Sequence, residues 1–76
     1  MSSWDHLLER LEFTHRHVMN GRQRIRRQYE IIAKLEGEGL STKEAKRLLE
    51  QFEITLKIFE ELYQSIQNEI DARLSK

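Results

Sequence analysis

Two long apolar repeats, separated by one pair of glycines, constrain this chain more than any other feature. In the first half, apolar side chains recur every seven residues, at Trp4, Leu11, Val18, Ile25 and Ile32. In the second half, spacings of four and three alternate through Ala45, Leu49, Phe52, Leu56, Phe59, Tyr63, Ile66 and Ile70. Both periods are typical of amphipathic helices, so the sequence predicts two long helices and no strand.

Glycine alone marks the break between the two repeats, because the chain contains no proline. Gly39 can adopt the left-handed conformation that ends a helix, and Leu35 and Leu40 can then touch across the turn. The four residues from Ser41 to Glu44 have the form of a capping box. This box predicts Ser41 as the N-cap of the second helix.

These boundaries predict a single all-α domain over residues 1–76, built as an antiparallel two-helix hairpin of the coiled-coil type. The expected elements are helix 1 over about 3–38, a turn over about 37–41 and helix 2 over about 42–74. Matched lengths and a short connection favour antiparallel packing, because each apolar repeat then faces the other along its whole length.

Size, charge and composition exclude several function classes. A chain of 76 residues is too short for a second domain. Because it contains no cysteine, it can form neither a disulfide framework nor a thiolate metal site. Thirteen basic and thirteen acidic residues balance, so no overall field attracts nucleic acid or an anionic membrane. No apolar run is long enough to span a membrane and the N-terminus lacks a signal-peptide pattern, so we expect a cytoplasmic protein.

A set of apolar side chains lies outside the two repeats, where a single hairpin would leave it open to water. The set comprises Leu48, Ile54, Ile58 and Leu62 in helix 2 and Phe13, Met19, Tyr29 and Ile31 in helix 1. A symmetric dimer of hairpins, forming a four-helix bundle, would bury most of it. The sequence therefore predicts a homodimer, and the four helix 2 residues are the candidate surface for a partner protein.

The middle of helix 1 departs from the apolar repeat at Thr14, Gly21 and Gln28, which are small or polar. With the turn as the fold point, Gly21 should lie near Phe59 and Gln28 near Phe52. Small residues facing large ones predict a close approach of the helices, since glycine inside a helix costs roughly 1 kcal/mol against alanine. A ligand cavity at this level is the alternative interpretation.

A cluster of arginines in helix 1 is the second candidate site. Its members are Arg16, Arg22, Arg24, Arg26 and Arg27. At about 100° per residue they spread over roughly 200° of the helix, which is wider than a face that reads a nucleic-acid groove. We expect a solvated face whose charge is answered in part by glutamates of helix 2 such as Glu60. Binding of nucleic-acid phosphates is the alternative function.

Catalytic and metal-binding interpretations find little support. Glu12 and His15 have the Glu-x-x-His spacing of di-iron bundles, but the pattern occurs once and Thr14 points more directly towards helix 2. No phosphate-binding loop and no nucleophile–base pair can be assigned. We therefore expect no catalytic site, no cofactor and no metal, and a non-enzymatic interaction module that engages a larger protein.

The central part of the chain, over roughly residues 15–56, resembles small uncharacterised bacterial helical-hairpin proteins. The resemblance is carried by Gly21, Arg24-Ile25, Arg27-Gln28, Ile31-Ile32-Ala33, Gly39, Leu48-Leu49 and Phe52. It implies a compact bacterial helical hairpin and no assigned activity. The segment Glu60-Glu61-Leu62-Tyr63 departs from the polar and basic end of helix 2 in such proteins, so the resemblance implies no shared surface there.

Overall fold

The computed structural model describes residues 2–75, which form two α-helices joined by a short turn. Helix α1 spans Ser3–Gly37, and helix α2 spans Lys43–Leu74. The helices pack against each other in opposite directions, so the predicted all-α helical hairpin is confirmed for these residues. The first and last residues of the predicted domain, 1 and 76, lie outside the described range.

The turn is built around Gly39, whose φ of 71° lies in the left-handed region that glycine adopts without strain. The amide of Leu40 donates to the carbonyl of Leu35 at 2.9 Å, and the amide of Gly39 donates to the carbonyl of Glu36 at 3.1 Å. This pair of hydrogen bonds is a Schellman motif, which satisfies carbonyls that the last turn of α1 would otherwise leave without a partner. The predicted conformation of Gly39 is confirmed.

The start of α2 differs from the predicted capping box. Thr42, not Ser41, is the N-cap, and its side chain accepts no hydrogen bond from the helix. The first helical hydrogen bond joins the amide of Lys46 to the carbonyl of Thr42, which starts the helix one residue later than the box requires. Ser41 Oγ accepts a long 3.4 Å hydrogen bond from the amide of Lys43 and so closes only a local turn.

The core is narrow and runs along the whole hairpin. Its buried apolar side chains are Leu7, Val18, Ile32, Ala45, Ile66 and Ile70. Every position of the two predicted apolar repeats is buried or half-buried, so the repeats form the contact between the helices. We call this line of contact the seam.

Gly21 lies at a close approach of the two helices. A Cβ added to this residue would lie 3.1 Å from Leu56 Cδ1, which is tighter than an ordinary contact. The predicted close approach is confirmed. Phe59 lies beside Gly21 in the groove between the helices, as predicted, but the nearest side chain is that of Leu56, three positions earlier. The pairing of Gly21 with Leu56 places the fold point between residues 38 and 39, whereas the prediction placed it at residue 40.

Two buried polar side chains of α1 lie in the seam on either side of Gly21. Thr14 is 1% exposed, and its Oγ1 donates to the carbonyl of Arg10 at 2.7 Å. Gln28 is 6% exposed, and its Nε2 donates to the carbonyl of Ala45 at 2.9 Å, a contact that the sequence did not predict. No buried side-chain nitrogen or oxygen within residues 2–75 lacks a hydrogen bond, so these polar core positions carry no desolvation penalty of an unpaired group.

Candidate interaction surfaces

The hairpin has two long sides, which are distinguished by two histidines of α1 that point about 200° apart. The ring of His17 stacks on Phe59, with 4.5 Å between centroids and 7° between planes. The ring of His15 lies against Tyr63, with centroids 5.8 Å apart. We call the side with His17 and Phe59 the groove face, and the side with His15 and Tyr63 the opposite face.

The centre of the groove face is a shallow groove between the helices. Gly21 and the His17–Phe59 stack line it, and the absence of a side chain at Gly21 keeps it open. The guanidinium of Arg24 lies 5.4 Å from the ring centroid of Phe52, which is a cation–π contact. Phe52 and Phe59, which belong to the predicted apolar repeat of helix 2, are half-buried. Arg24 and His17 of α1 cover the outer surfaces of their rings.

The outer part of the groove face is a stripe of α2 without charge. It consists of the positions that lie beside the seam on this side, namely Leu48, Gln51, Thr55, Ile58, Leu62 and Ser65. Leu48, Ile58 and Leu62 are 46%, 59% and 39% exposed. Ile54 is also exposed, one helical turn before Ile58, but it lies at the outer margin of the stripe. The fold thus brings three of the four predicted residues onto one surface.

Helix α1 adds exposed apolar side chains, Phe13 and Ile31, to the same face. Phe13 is 57% exposed, although its ring lies 4.5 Å from the ring of His17. Ile31 is 39% exposed and lies nearer the turn. Apolar side chains therefore occupy both long edges of the groove, which is the pattern of a surface that another helix pair can cover.

Each helix presents a single sign of charge on the groove face. Between Arg10 and Lys34, the charged positions of α1 on this side are all basic, namely Arg10, Arg24, Arg27 and Lys34. The uncharged stripe of α2 ends at Glu44 towards the turn and at Glu69 towards the open end. Sequence reasoning did not single out Arg10, Lys34, Glu44 or Glu69. Their spacing from the exposed apolar positions, read at 100° per residue, was the signal that could have found them.

The opposite face is more polar. Arg22 Nη2 lies 3.2 Å from Glu60 Oε2. The prediction that glutamates of helix 2 partly neutralise the arginine cluster is therefore confirmed for this pair. Both side chains are roughly half exposed, and such a pair contributes only about 0–1 kcal/mol. Charged residues line α2 on this side, at Lys46, Glu50, Glu53, Lys57 and Glu60. This face therefore tolerates water.

The five arginines of helix 1 do not form one patch. Arg22 and Arg24 make the contacts described above, and Arg16 forms an ion pair one turn back along α1 at 3.3 Å. Arg26 and Arg27 are exposed and form no ion pair with any of residues 2–75. The fold therefore leaves two arginines without an ion pair within the described range, Arg27 on the outer margin of the groove face and Arg26 on the other side of α1.

The Glu-x-x-His pattern of α1 does not form a metal site. Glu12 pairs with Arg16 while His15 lies against Tyr63, so the two residues of the Glu-x-x-His pattern do not converge. Over the described range 2–75, no group of three or more potential ligand side chains could hold a metal ion. Neither α1 nor α2 combines the length and the apolar character that crossing a bilayer requires.

The hairpin exposes more surface than a compact protein of its mass. Its accessible surface is 6074 Å², whereas a monomer of 9.2 kDa typically exposes roughly 4,900 Å². Its Cα radius of gyration is 17.3 Å, against about 11 Å for a compact chain of this length. The excess surface, about 1,100 Å², exceeds the roughly 800 Å² that each partner contributes to a stable interface.

Comparison of the chain with protein-family models, with curated proteins and with solved structures found no match. The resemblance to bacterial helical hairpins therefore stays a prediction. The function of the chain is inferred from its own geometry.

Proposed function

We propose that this chain is a non-enzymatic protein–protein interaction module that works as a homodimer, with the groove faces of two hairpins packed into a four-helix bundle. One observation carries the proposal, the uncharged stripe of α2 in which Leu48, Ile58 and Leu62 are 39% to 59% exposed. Covering side chains of this size contributes about 1 kcal/mol or more each. The excess accessible surface of the hairpin supports the same conclusion.

In this proposal a larger protein engages the surfaces that the dimer leaves open. Ile54 is 56% exposed at the outer margin of the stripe, where a second hairpin on the groove face would not cover it. The side of α1 that carries Arg26 is open as well. The dimer thus supplies stability, and its outer edges supply the contacts with the larger partner.

A charge in the uncharged stripe tests the dimer. We expect Ile58→Asp to weaken dimerisation at least about a hundredfold, because a two-fold interface buries the unpaired carboxylate twice. Sedimentation equilibrium over a range of concentrations measures the effect. The parent is expected to have the mass of two chains at tens of micromolar, and the variant that of one.

Lys57→Asp is the matched control, since the neighbouring residue lies on the opposite face and should leave the dimer intact. Circular dichroism of each protein reports whether the helices are retained. A parent that sediments as a single chain at tens of micromolar, with its helices intact, would rule out the proposed dimer.

A second candidate function, binding of nucleic-acid phosphates, is favoured by the exposed Arg26 and Arg27. If it holds, the Arg26→Glu, Arg27→Glu double variant should lose nucleic-acid binding, and parental affinity should fall steeply between about 50 and 200 mM salt. An apolar protein contact should change little over this range. Fluorescence anisotropy with duplex DNA and single-stranded RNA measures both effects. If the double charge reversal leaves the affinity for nucleic acid unchanged, this function is excluded.

A further inference from the structure

The charges of the groove face also specify how two copies meet, an inference that rests on the proposed dimer. We propose that a second copy of this chain covers the groove face with the two-fold axis parallel to the helices, so that α1 of each copy lies on α2 of the other. Both turns then lie at the same end of the bundle. Every helix has antiparallel neighbours.

Two hairpins can pack face to face with two-fold symmetry in two ways. With the axis parallel to the helices, α1 covers α2 of the second copy. With the axis perpendicular to the helices and in the plane of the interface, α1 covers α1 and α2 covers α2. The second arrangement places the two turns at opposite ends of the bundle.

The charges on the groove face favour one of these two arrangements over the other. Laying α1 on α1 would pack two basic helix faces against each other in opposite directions, for example with Arg10 near Lys34 of the second copy when the helices fully overlap. Laying α1 on α2 brings them against an uncharged stripe that ends in Glu44 and Glu69, which within their own helix lie 3.8 Å from Arg47 and 3.4 Å from Arg73. Like charges across an interface oppose association, whereas opposite charges favour it, so the parallel axis is the complementary arrangement.

Symmetry then sets the register. A two-fold axis parallel to the helices allows no sliding, because each level of one copy must meet the same level of the other. Contacts within the hairpin define these levels, since Gly21 faces Leu56 in the middle and Ser3 Oγ accepts a 2.9 Å hydrogen bond from Arg73 at the open end. The pairs across the interface follow from these levels without further adjustment.

The resulting charged pairs lie at the two ends of the interface. Lys34 of one copy meets Glu44 of the other near the turns, and Arg10 meets Glu69 near the open ends. Each pair is within three residues of the same level, or about 4.5 Å along the helix axis. Each occurs twice in the dimer.

The apolar pairs lie inside the charged ones. Ile31 meets Leu48 of the second copy, and Phe13 meets Leu62, again within three residues of the same level. Between these apolar pairs, Arg24 lies over the Phe52 ring of its own hairpin and faces the uncharged stripe of the second copy. Phe13 and Ile31, which are 57% and 39% exposed in a single hairpin, thus gain partners.

A distance between spin labels tests the arrangement, and the absence of cysteine from the chain makes single labelling straightforward. Gly37→Cys places a label near the turn, where an added Cβ meets no atom within 4 Å. With the parallel axis, the two labels should lie within about 30 Å, since bundled helices are 8–10 Å apart. With the perpendicular axis they would lie roughly 50 Å apart, at 1.5 Å per residue from the centre of the hairpin.

A label at Lys57→Cys is the control, because this residue lies near the middle of the bundle in both arrangements. A defined distance at Lys57 together with a long distance at Gly37 would overturn the parallel axis while leaving the dimer standing. No defined distance at either position would instead remove the dimer, and with it the proposed function.

Charge reversal gives an independent check. Lys34→Glu and Glu44→Lys, each alone, create like-charged pairs twice in the dimer and should weaken it about three- to tenfold. The double variant Lys34→Glu, Glu44→Lys restores opposite charges and should recover the parental affinity. A double variant that dimerises no better than the single variants would contradict this pairing.

Discussion

Replacing Ile66 by alanine is expected to lower the free energy of unfolding by about 2–5 kcal/mol. Ile66 is 2% exposed and packs with Leu7 and Ile70 in the cluster that closes the open end of the hairpin. The core is narrow, so a loss of this size should remove most of the stability and lower the melting temperature sharply. Urea and thermal melts followed by circular dichroism, at one fixed chain concentration, measure the effect.

Ile54→Ala is the matched control for this prediction. It makes the same substitution in the same helix, but Ile54 is 56% exposed, so a change within about 0.5 kcal/mol is expected. Equal losses at the two positions would mean that the seam of α2 is not the core of the hairpin.

Gly21→Leu is expected to lower the free energy of unfolding by about 1–3 kcal/mol, although leucine forms helices better than glycine by nearly 1 kcal/mol. The reason is steric, because even a Cβ at this position would lie 3.1 Å from Leu56 Cδ1. The leucine side chain, which extends beyond its Cβ, must therefore displace the Leu56 side chain or move the helices apart. Urea melts of parent and variant give the difference directly.

The control is Gly37→Leu, because an added Cβ at Gly37 meets no atom within 4 Å. This variant should be as stable as the parent or gain up to about 1 kcal/mol. Leu56→Ala combined with Gly21→Leu should recover part of the loss, since it removes the side chain that clashes. If Gly21→Leu and Gly37→Leu prove equally stable, the helices do not approach closely at Gly21.

The helices and the turn could be predicted from the sequence because their signals are local. The apolar repeat of a helix indicates which side of that helix is buried, whichever helix it packs against. Gly39 indicates a left-handed turn because glycine adopts that conformation without strain. The facing pairs could not be predicted as well, because they depend on where the chain reverses. A small error in the fold point doubles in the pairing, which is why Phe59 was expected where Leu56 lies.

The candidate surface likewise has features that could be predicted from the sequence and features that could not. Leu48, Ile58 and Leu62 could be predicted as exposed from their positions outside the apolar repeat. The stack of His17 on Phe59 and the cover of Phe52 by Arg24 could not, because both contacts depend on the pairing of the helices. The groove face is therefore a property of the tertiary fold.

The hydrogen bond from Gln28 to the carbonyl of Ala45 has a consequence for the alignment of the helices. Apolar repeats are degenerate, because a helix that slips by one turn still places apolar side chains against apolar side chains. A slip would leave the buried amide of Gln28 without its acceptor, at a cost of about 1–3 kcal/mol. Every residue of α2 has a backbone carbonyl, so the discrimination depends on the small side chain of Ala45, which leaves its carbonyl open to Gln28, whereas Leu49, one turn further on, carries a larger side chain. The hydrogen bond of Gln28 thus favours this register of the two helices over registers that differ by one helical turn.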